Sequence, residues 1–157
     1  MNKQTWLRIP LGICAALGLL LIALSVITLD INKRQRANEA SSVAKLARIN
    51  ELQGAYAAAH ADRGFACELS TLMPQQSTGA TYNPDSFLLS GEHSGYKFSL
   101  NCEKQTNGVV SSYEVTAVPI EPGKTGYRIF CSDPAGTIWY DPDRSAQNCF
   151  LAKRPLR

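Results

Sequence analysis

The spacing of hydrophobic and polar positions changes twice along this chain. Residues 11–29 form a nineteen-residue run without a charge. At ~1.5 Å rise per residue, a helix of that length spans about 28 Å, close to the ~30 Å hydrocarbon thickness of a bilayer. Over residues 31–62 the period becomes that of an amphipathic helix. Val43, Leu46, Ile49, Leu52, Tyr56 and Ala59 recur at three- and four-residue steps, which places one apolar stripe on a helix. Lys45, Arg48, Glu51 and Asp62 fall largely off that stripe, and Gly64 is a helix stop. From Tyr96 onward the period is two. Tyr96, Phe98, Leu100 and Cys102 alternate with Lys97, Ser99 and Asn101. Tyr113, Val115 and Ala117 do the same with Glu114, Thr116 and Val118. Tyr127, Ile129 and Cys131 follow with Arg128 and Phe130, and 137–140 is a short last strand. Turn residues separate them at Asn107-Gly108, over 119–126, and at Asp133-Pro134-Ala135-Gly136.

Consecutive strands with short connections predict an antiparallel meander. The predicted fold class is α+β: a long N-terminal helix, with a membrane half and an amphipathic half, packed on a small antiparallel sheet. Tyr96, Phe98, Leu100, Tyr113, Val115, Tyr127 and Ile129 are expected to share a core with Val43, Leu46, Ile49, Leu52 and Tyr56. The expected boundaries are a cytoplasmic N-terminus (1–10), a transmembrane helix (11–29) and an extracytoplasmic domain (30–157). Within that domain the expectation is helix 31–62, loop 64–95, sheet 96–140 and a tail 141–157 without periodicity. The apolar pieces 69–73 and 87–89 would pin the loop to the core.

The apolar run also admits a signal peptide. Lys3 and Arg8 form a basic flank, and Ala23-Leu24-Ser25 could be cleaved. Its length and the helical pattern beyond it favour an uncleaved anchor, with Pro10 tolerated in the first turn. A break near 30–33 would divide the helix in two. Leu11-Gly12-Ile13-Cys14 is a poor lipoprotein box, because Ile13 stands where a small residue is expected. Cys14 reads as a buried apolar side chain. Net charge is +3 with scattered basic residues, which argues against a nucleic-acid footprint.

Orientation draws on two opposed signals. Lys33, Arg34 and Arg36 against Lys3 and Arg8 slightly favour a cytoplasmic C-terminal side. Cys67, Cys102, Cys131 and Cys149, spaced by 35, 29 and 18 residues without a close pair, read as two disulfides in an oxidising compartment. The cysteines outweigh the small charge difference. Four cysteines allow three connectivities, among which sequence alone does not decide. The preferred pairing is Cys67–Cys102, closing the long loop, and Cys131–Cys149, tying down the tail.

Catalytic chemistry has little support. His60 and His93 are the only histidines, and neither belongs to a triad signature. Asp133, Asp141 and Asp143 could ligate calcium, but Asp-Pro turns give the same composition. Trp139 and Tyr140 suit either a partner surface or burial. The expectation is a non-enzyme without metal, cofactor, small-molecule substrate or nucleic acid.

A long helix, apolar then amphipathic, followed by a loop and a meander resembles type IV pilins and pseudopilins. Residues 41–56 (SSVAKLARINELQGAY), Ser94-Gly95-Tyr96-Lys97-Phe98 and 117–140 (AVPIEPGKTGYRIFCSDPAGTIWY) are similar to pilin-like bacterial proteins. The resemblance spans roughly residues 11–142. It implies a membrane-anchored structural or assembly subunit of a type IV pilus or secretion-type apparatus in the inner membrane. The folded domain would be periplasmic or extracellular. Its partners would be other pilin-like subunits, membrane assembly proteins and lipid. Gly12, Ala15, Ala16 and Gly18 are the small residues that would allow close helix packing in the membrane. The chain departs from the family at its N-terminus, where Ile13 follows Gly12 in place of the usual aromatic residue or Met. Processing after Gly12 would make Leu17 the fifth mature residue, where the family carries a register-setting Glu. That departure keeps open a membrane-tethered binding domain that does not polymerise.

Overall fold

The structure, a computed structural model, describes residues 11–74, 83–104, 108–143 and 145–156. The expected features on residues 1–10, Gly79 and Asn107 lie outside those residues. Helix α1 runs over Leu11–Ala59. Six strands follow: β1 (Glu92–His93), β2 (Tyr96–Lys104), β3 (Val110–Pro119), β4 (Ile129–Ser132), β5 (Ile138–Asp141) and β6 (Arg154–Pro155). Each pairs antiparallel with the next, so the sheet order equals the chain order. The architecture is α+β, a long N-terminal helix packed on an antiparallel meander. By its contacts the chain divides into two units, one ending at Arg34 and the other spanning Gln35–Arg157.

Cross-strand register explains the core of the second unit. Phe98, Ala117, Phe130 and Tyr140 stand opposite one another in neighbouring strands. Their row faces α1, where Leu46 and Ile49 are fully buried and Val43, Leu52 and Tyr56 are partly buried beside them. Tyr96, Phe98, Tyr113 and Val115 lie in this core as expected, with Leu100 at its margin. The expected inward row of the third strand is corrected. Tyr127 lies before β4 and is about half exposed, and Phe130, not Ile129, enters the core against α1. Every residue of β4 is buried, so alternation within it carried no information about its faces.

Segments without periodicity contain structure. Within 64–95 lie a 3-10 turn (Leu69–Leu72), a short helix α2 (Phe87–Ser90) and β1. Phe87, Leu88 and Leu72 are buried. Ser94 and Gly95 both have positive φ, at 47° and 73°, which is the two-residue turn that suits a hairpin between β1 and β2. The tail 141–157 holds helix α3 (Ala146–Ala152) and β6. Ser145 caps α3, its hydroxyl accepting from the Asn148 amide at 3.1 Å. The helix expected to reach Asp62 ends at Ala59. His60 continues the turn through its amide to the Tyr56 carbonyl, and the Gly64 amide returns to the His60 carbonyl. Gly64, at φ 76°, lies against the Val110 backbone, where a Cβ would collide with the carbonyl.

Candidate functional site: an apolar helix and a polar corner

In the first unit, Leu17, Leu19, Leu20, Leu21, Ile22, Leu24, Val26, Ile27 and Leu29 are each more than half exposed. Apolar surface of this extent is unfavourable in water by about 25 cal/mol per Å², as in a membrane anchor or a signal segment. By length and composition helix α1 is long and apolar enough to cross a membrane. Among the described residues of the apolar run, the two hydroxyls are internally bonded. Ser25 donates to the Ile22 carbonyl at 2.7 Å, and Thr28 to the Ser25 carbonyl at 2.9 Å. That arrangement lets them enter an apolar medium without orphaned polar groups. Of the small residues named from sequence, Ala16 is exposed, and a Cβ at Gly18 would meet nothing within 4 Å. Gly12 and Ala15 are part of the α1 backbone, and their side-chain surroundings lie outside the described residues.

In the second unit, the buried face of α1 is not the apolar stripe alone. Gln35, Glu39, Ser42, Leu46, Ile49 and Gln53 form one buried row at helical spacing. Ser42 donates to the Asn38 carbonyl one turn back at 2.8 Å, while the other polar members, and Asn38 beside them, bond groups distant in sequence. Gln35 donates to the Gly123 carbonyl at 2.6 Å, and Asn38 donates to the Thr125 carbonyl at 2.9 Å. Glu39 accepts from the Tyr127 and Arg128 amides at 2.9 and 3.2 Å and pairs with the Arg128 guanidinium. The Gln53 side chain bonds Ala66 in both directions, donating to its carbonyl at 2.8 Å and accepting from its amide at 2.9 Å. Sequence reasoning missed these residues. The signal was present, because they extend the three- and four-residue spacing of the stripe with polar side chains.

Tyr96 completes the corner. Its hydroxyl donates to the Arg128 carbonyl at 2.9 Å, and its ring lies against Gly126, where any Cβ would clash. Burial, followed by the charge of Glu39, pushes its phenol well above the usual range. Tyr113 donates to Asn50 at 3.0 Å and is pushed up to about 12 by burial, with a smaller contribution from Asp133. Further along, Arg48 forks onto the buried Asp85 at 2.8–3.2 Å, and Lys45 donates to the Pro84 carbonyl at 2.8 Å. These contacts fasten the segment before α2 to α1, and the hydrogen bond to Asp85 raises the Arg48 pKa.

Both preferred disulfide pairings are present. Cys67–Cys102 and Cys131–Cys149 have Cα separations of 5.5 and 6.1 Å, within the ordinary range. His60, His93, Asp133 and Asp141 each make structural contacts. His60 stacks on Tyr56 with ring centroids 4.2 Å apart. His93 packs near Phe87, and burial, then Lys45, lowers its pKa. Asp133 accepts from the Ala135 amide and Asp141 from the Ser145 amide, closing turns. Trp139 is buried beside Cys131 and Cys149, with the Lys153 ammonium 4.7 Å from its ring. Among the described residues, no group of three or more His, Cys, Asp or Glu could hold a metal. Two of the surface depressions are open to solvent. One is bounded by Asn101, Glu114, Thr116, Gln147, Phe150 and Leu151. A second lies beside Cys67, Leu69, Leu88, Leu89 and Leu100. Neither brings a nucleophile and a base together.

Comparisons with protein-family models, with curated proteins and with solved structures give no match to this chain.

Proposed function

We propose that this protein is a membrane-anchored subunit of pilin-like build, acting through helix packing and protein–protein contacts in a pilus or secretion-type apparatus. Residues 11–29 cross the inner membrane once, the N-terminus is cytoplasmic, and the disulfide-bonded sheet domain is periplasmic or extracellular. No catalysis is assigned to it. The observation that carries this reading is the uncovered apolar surface of residues 17–29, at the N-terminal end of a helix whose later residues build an α+β core. Small residues at Ala16 and Gly18 leave room for a neighbouring helix to approach. Two disulfides in the domain fit an oxidising compartment.

The test is a photo-crosslinking residue at Ala16 or Gly18 in cells, followed by identification of the adducts. Adducts with pilin-like subunits are the expected result. Adducts with lipid alone would replace this reading with a tethered binding domain that does not polymerise. Leu17, in place of the family's Glu, is the observation that favours that second reading. Sequencing the mature N-terminus separates processing after Gly12, cleavage near Ser25 and an intact anchor.

A further inference from the structure

We propose that the free edge of β2, from Ser99 to Glu103, takes up an extended segment of another protein as an added antiparallel strand. The whole edge lies within the second unit. The two edges of the sheet differ. β6 is two residues long and ends at Pro155, which has no N–H to offer a further strand. β2 is nine residues long, and β1 pairs with it only at Tyr96 and Lys97. The Phe98 amide then donates to the Gly91 carbonyl at 2.7 Å. There the chain leaves the edge, because the Gly91 amide turns back to the Phe87 carbonyl at 2.8 Å. Backbone groups of a strand alternate in direction, so those of Leu100 and Cys102 point the same way as those of Phe98, out of the sheet. No described backbone group bonds them there. Their amides and carbonyls make adjacent slots that an antiparallel strand in line with β1 fills by reciprocal hydrogen bonds.

The surroundings of these slots define the occupant. Beside Leu100 lies a groove of about 350 Å³ walled by Leu69, Leu88 and Leu89. Leu89 is 67% exposed, although its neighbour Leu88 is buried. Leu100 shares the sheet face of Phe98, so the residue opposite it in an added strand sets its side chain toward this groove. Glu103 is on the other face and is exposed, as is Glu68 on the groove rim. Neither joins an ion pair among the described residues. Glu68 has the Ser70 hydroxyl at 3.5 Å, and Lys97, also exposed, already faces Glu92 across the β1 pairing. The matching segment is therefore extended, with an apolar residue opposite Leu100 and a basic one opposite Glu103. Antiparallel direction places the base three positions before the apolar residue. Free backbone donors and acceptors select a strand over a helix, whose own N–H and C=O groups are bonded internally.

The test is amide hydrogen exchange in the full-length protein in detergent micelles, with the peptide acetyl-Thr-Lys-Val-Thr-Leu-Thr-amide as the probe. Without peptide, the Leu100 and Cys102 amides are expected to exchange fast. The Ser99 and Asn101 amides, which point toward β3, are expected to exchange slowly. Saturating peptide is expected to slow Leu100 and Cys102 by about tenfold or more. The same peptide N-methylated at its Val and Leu lacks both inward donors and is expected to leave them fast. Replacing the peptide lysine by glutamate is expected to weaken binding, and Glu103→Lys to restore it. Slow exchange at Leu100 and Cys102 without peptide would overturn the proposal. Where that slowing follows protein concentration, a second copy holds the edge; where it does not, the chain covers its own edge. Exchange that stays fast under peptide, equal slowing by the N-methylated peptide, or binding of the glutamate peptide that Glu103→Lys leaves unchanged would overturn it as well.

Discussion

The two faces of the sheet are one residue apart in register and are held by different physics. The row Phe98–Ala117–Phe130–Tyr140 faces α1 and is nearly all aromatic. The adjacent row, Ser99–Thr116–Cys131–Trp139, begins polar and becomes apolar only toward the C-terminal strands. There α3, seven residues long, covers it. A helix that short is not stable alone. It is capped by Ser145 and cross-linked to β4 through Cys131–Cys149. One face is stabilised by buried apolar area, and the other by a covalent tie over a small cluster. A sheet can therefore be two-sided without carrying two full cores.

The largest expected effect tests the first face. Ile49→Ala removes a fully buried side chain between α1 and the sheet and should cost about 2–5 kcal/mol, read by denaturant unfolding. A loss near zero would mean that α1 is not seated on the sheet by this row. The second face is probed by replacing Cys131 and Cys149 with Ser. Opening a crosslink of 18 residues should cost about 3 kcal/mol. Hydrogen exchange should rise first in α3 and β6 and leave the amides around Leu46 and Ile49 protected. Equal exposure of both regions would show that the two faces form one cooperative unit.

Gln53→Leu sharpens the contrast within the first face. It keeps a side chain of similar size in a fully buried position but strands the Ala66 amide and carbonyl. About 1–3 kcal/mol should be lost for each unsatisfied group, so a stabilised variant would show that the polar row is dispensable. The smallest effect is in pH. Tyr113 has a folded pKa raised from 10.0 to about 12. Its neutral form is favoured by folding, so its contribution is intact below pH 10 and is lost as pH rises through about 12. Tyr113→Phe should flatten stability against pH in that window, and an unchanged slope would place the alkaline transition elsewhere.

Much of the architecture was legible from period alone. A charge-free run followed by three- and four-residue steps marks helix, with a break near 30–33 left open, and alternation from Tyr96 to Cys102 marks a half-buried strand. Those patterns are local, and the physics behind them is the repeat of the helix and the pleat. The disulfide partners were legible only as a preference, because loop closure does not distinguish connectivities strongly. β4 failed the same reading for a physical reason. A strand covered on both faces has no polar side, so Tyr127, Ile129 and Cys131 gave no indication that Phe130 would be the residue facing α1.

Sequence by itself determined the fold class, the helical character of the apolar and amphipathic parts and the alternating strands, since each rests on neighbours within a few residues; that the two helical parts are continuous from Leu11 to Ala59 came from the structure. Tertiary structure alone decided the rest. Gln35, Glu39 and Gln53 are buried because their partners, Gly123, Tyr127, Arg128 and Ala66, are brought to them from 13 to 89 positions away. A polar side chain is unfavourable inside a protein until a donor or acceptor arrives. Whether one arrives depends on how the chain returns, and no local period records that. The same holds for α3, whose residues become a helix only where Cys149 meets Cys131 and Phe150 finds the outer face of the sheet.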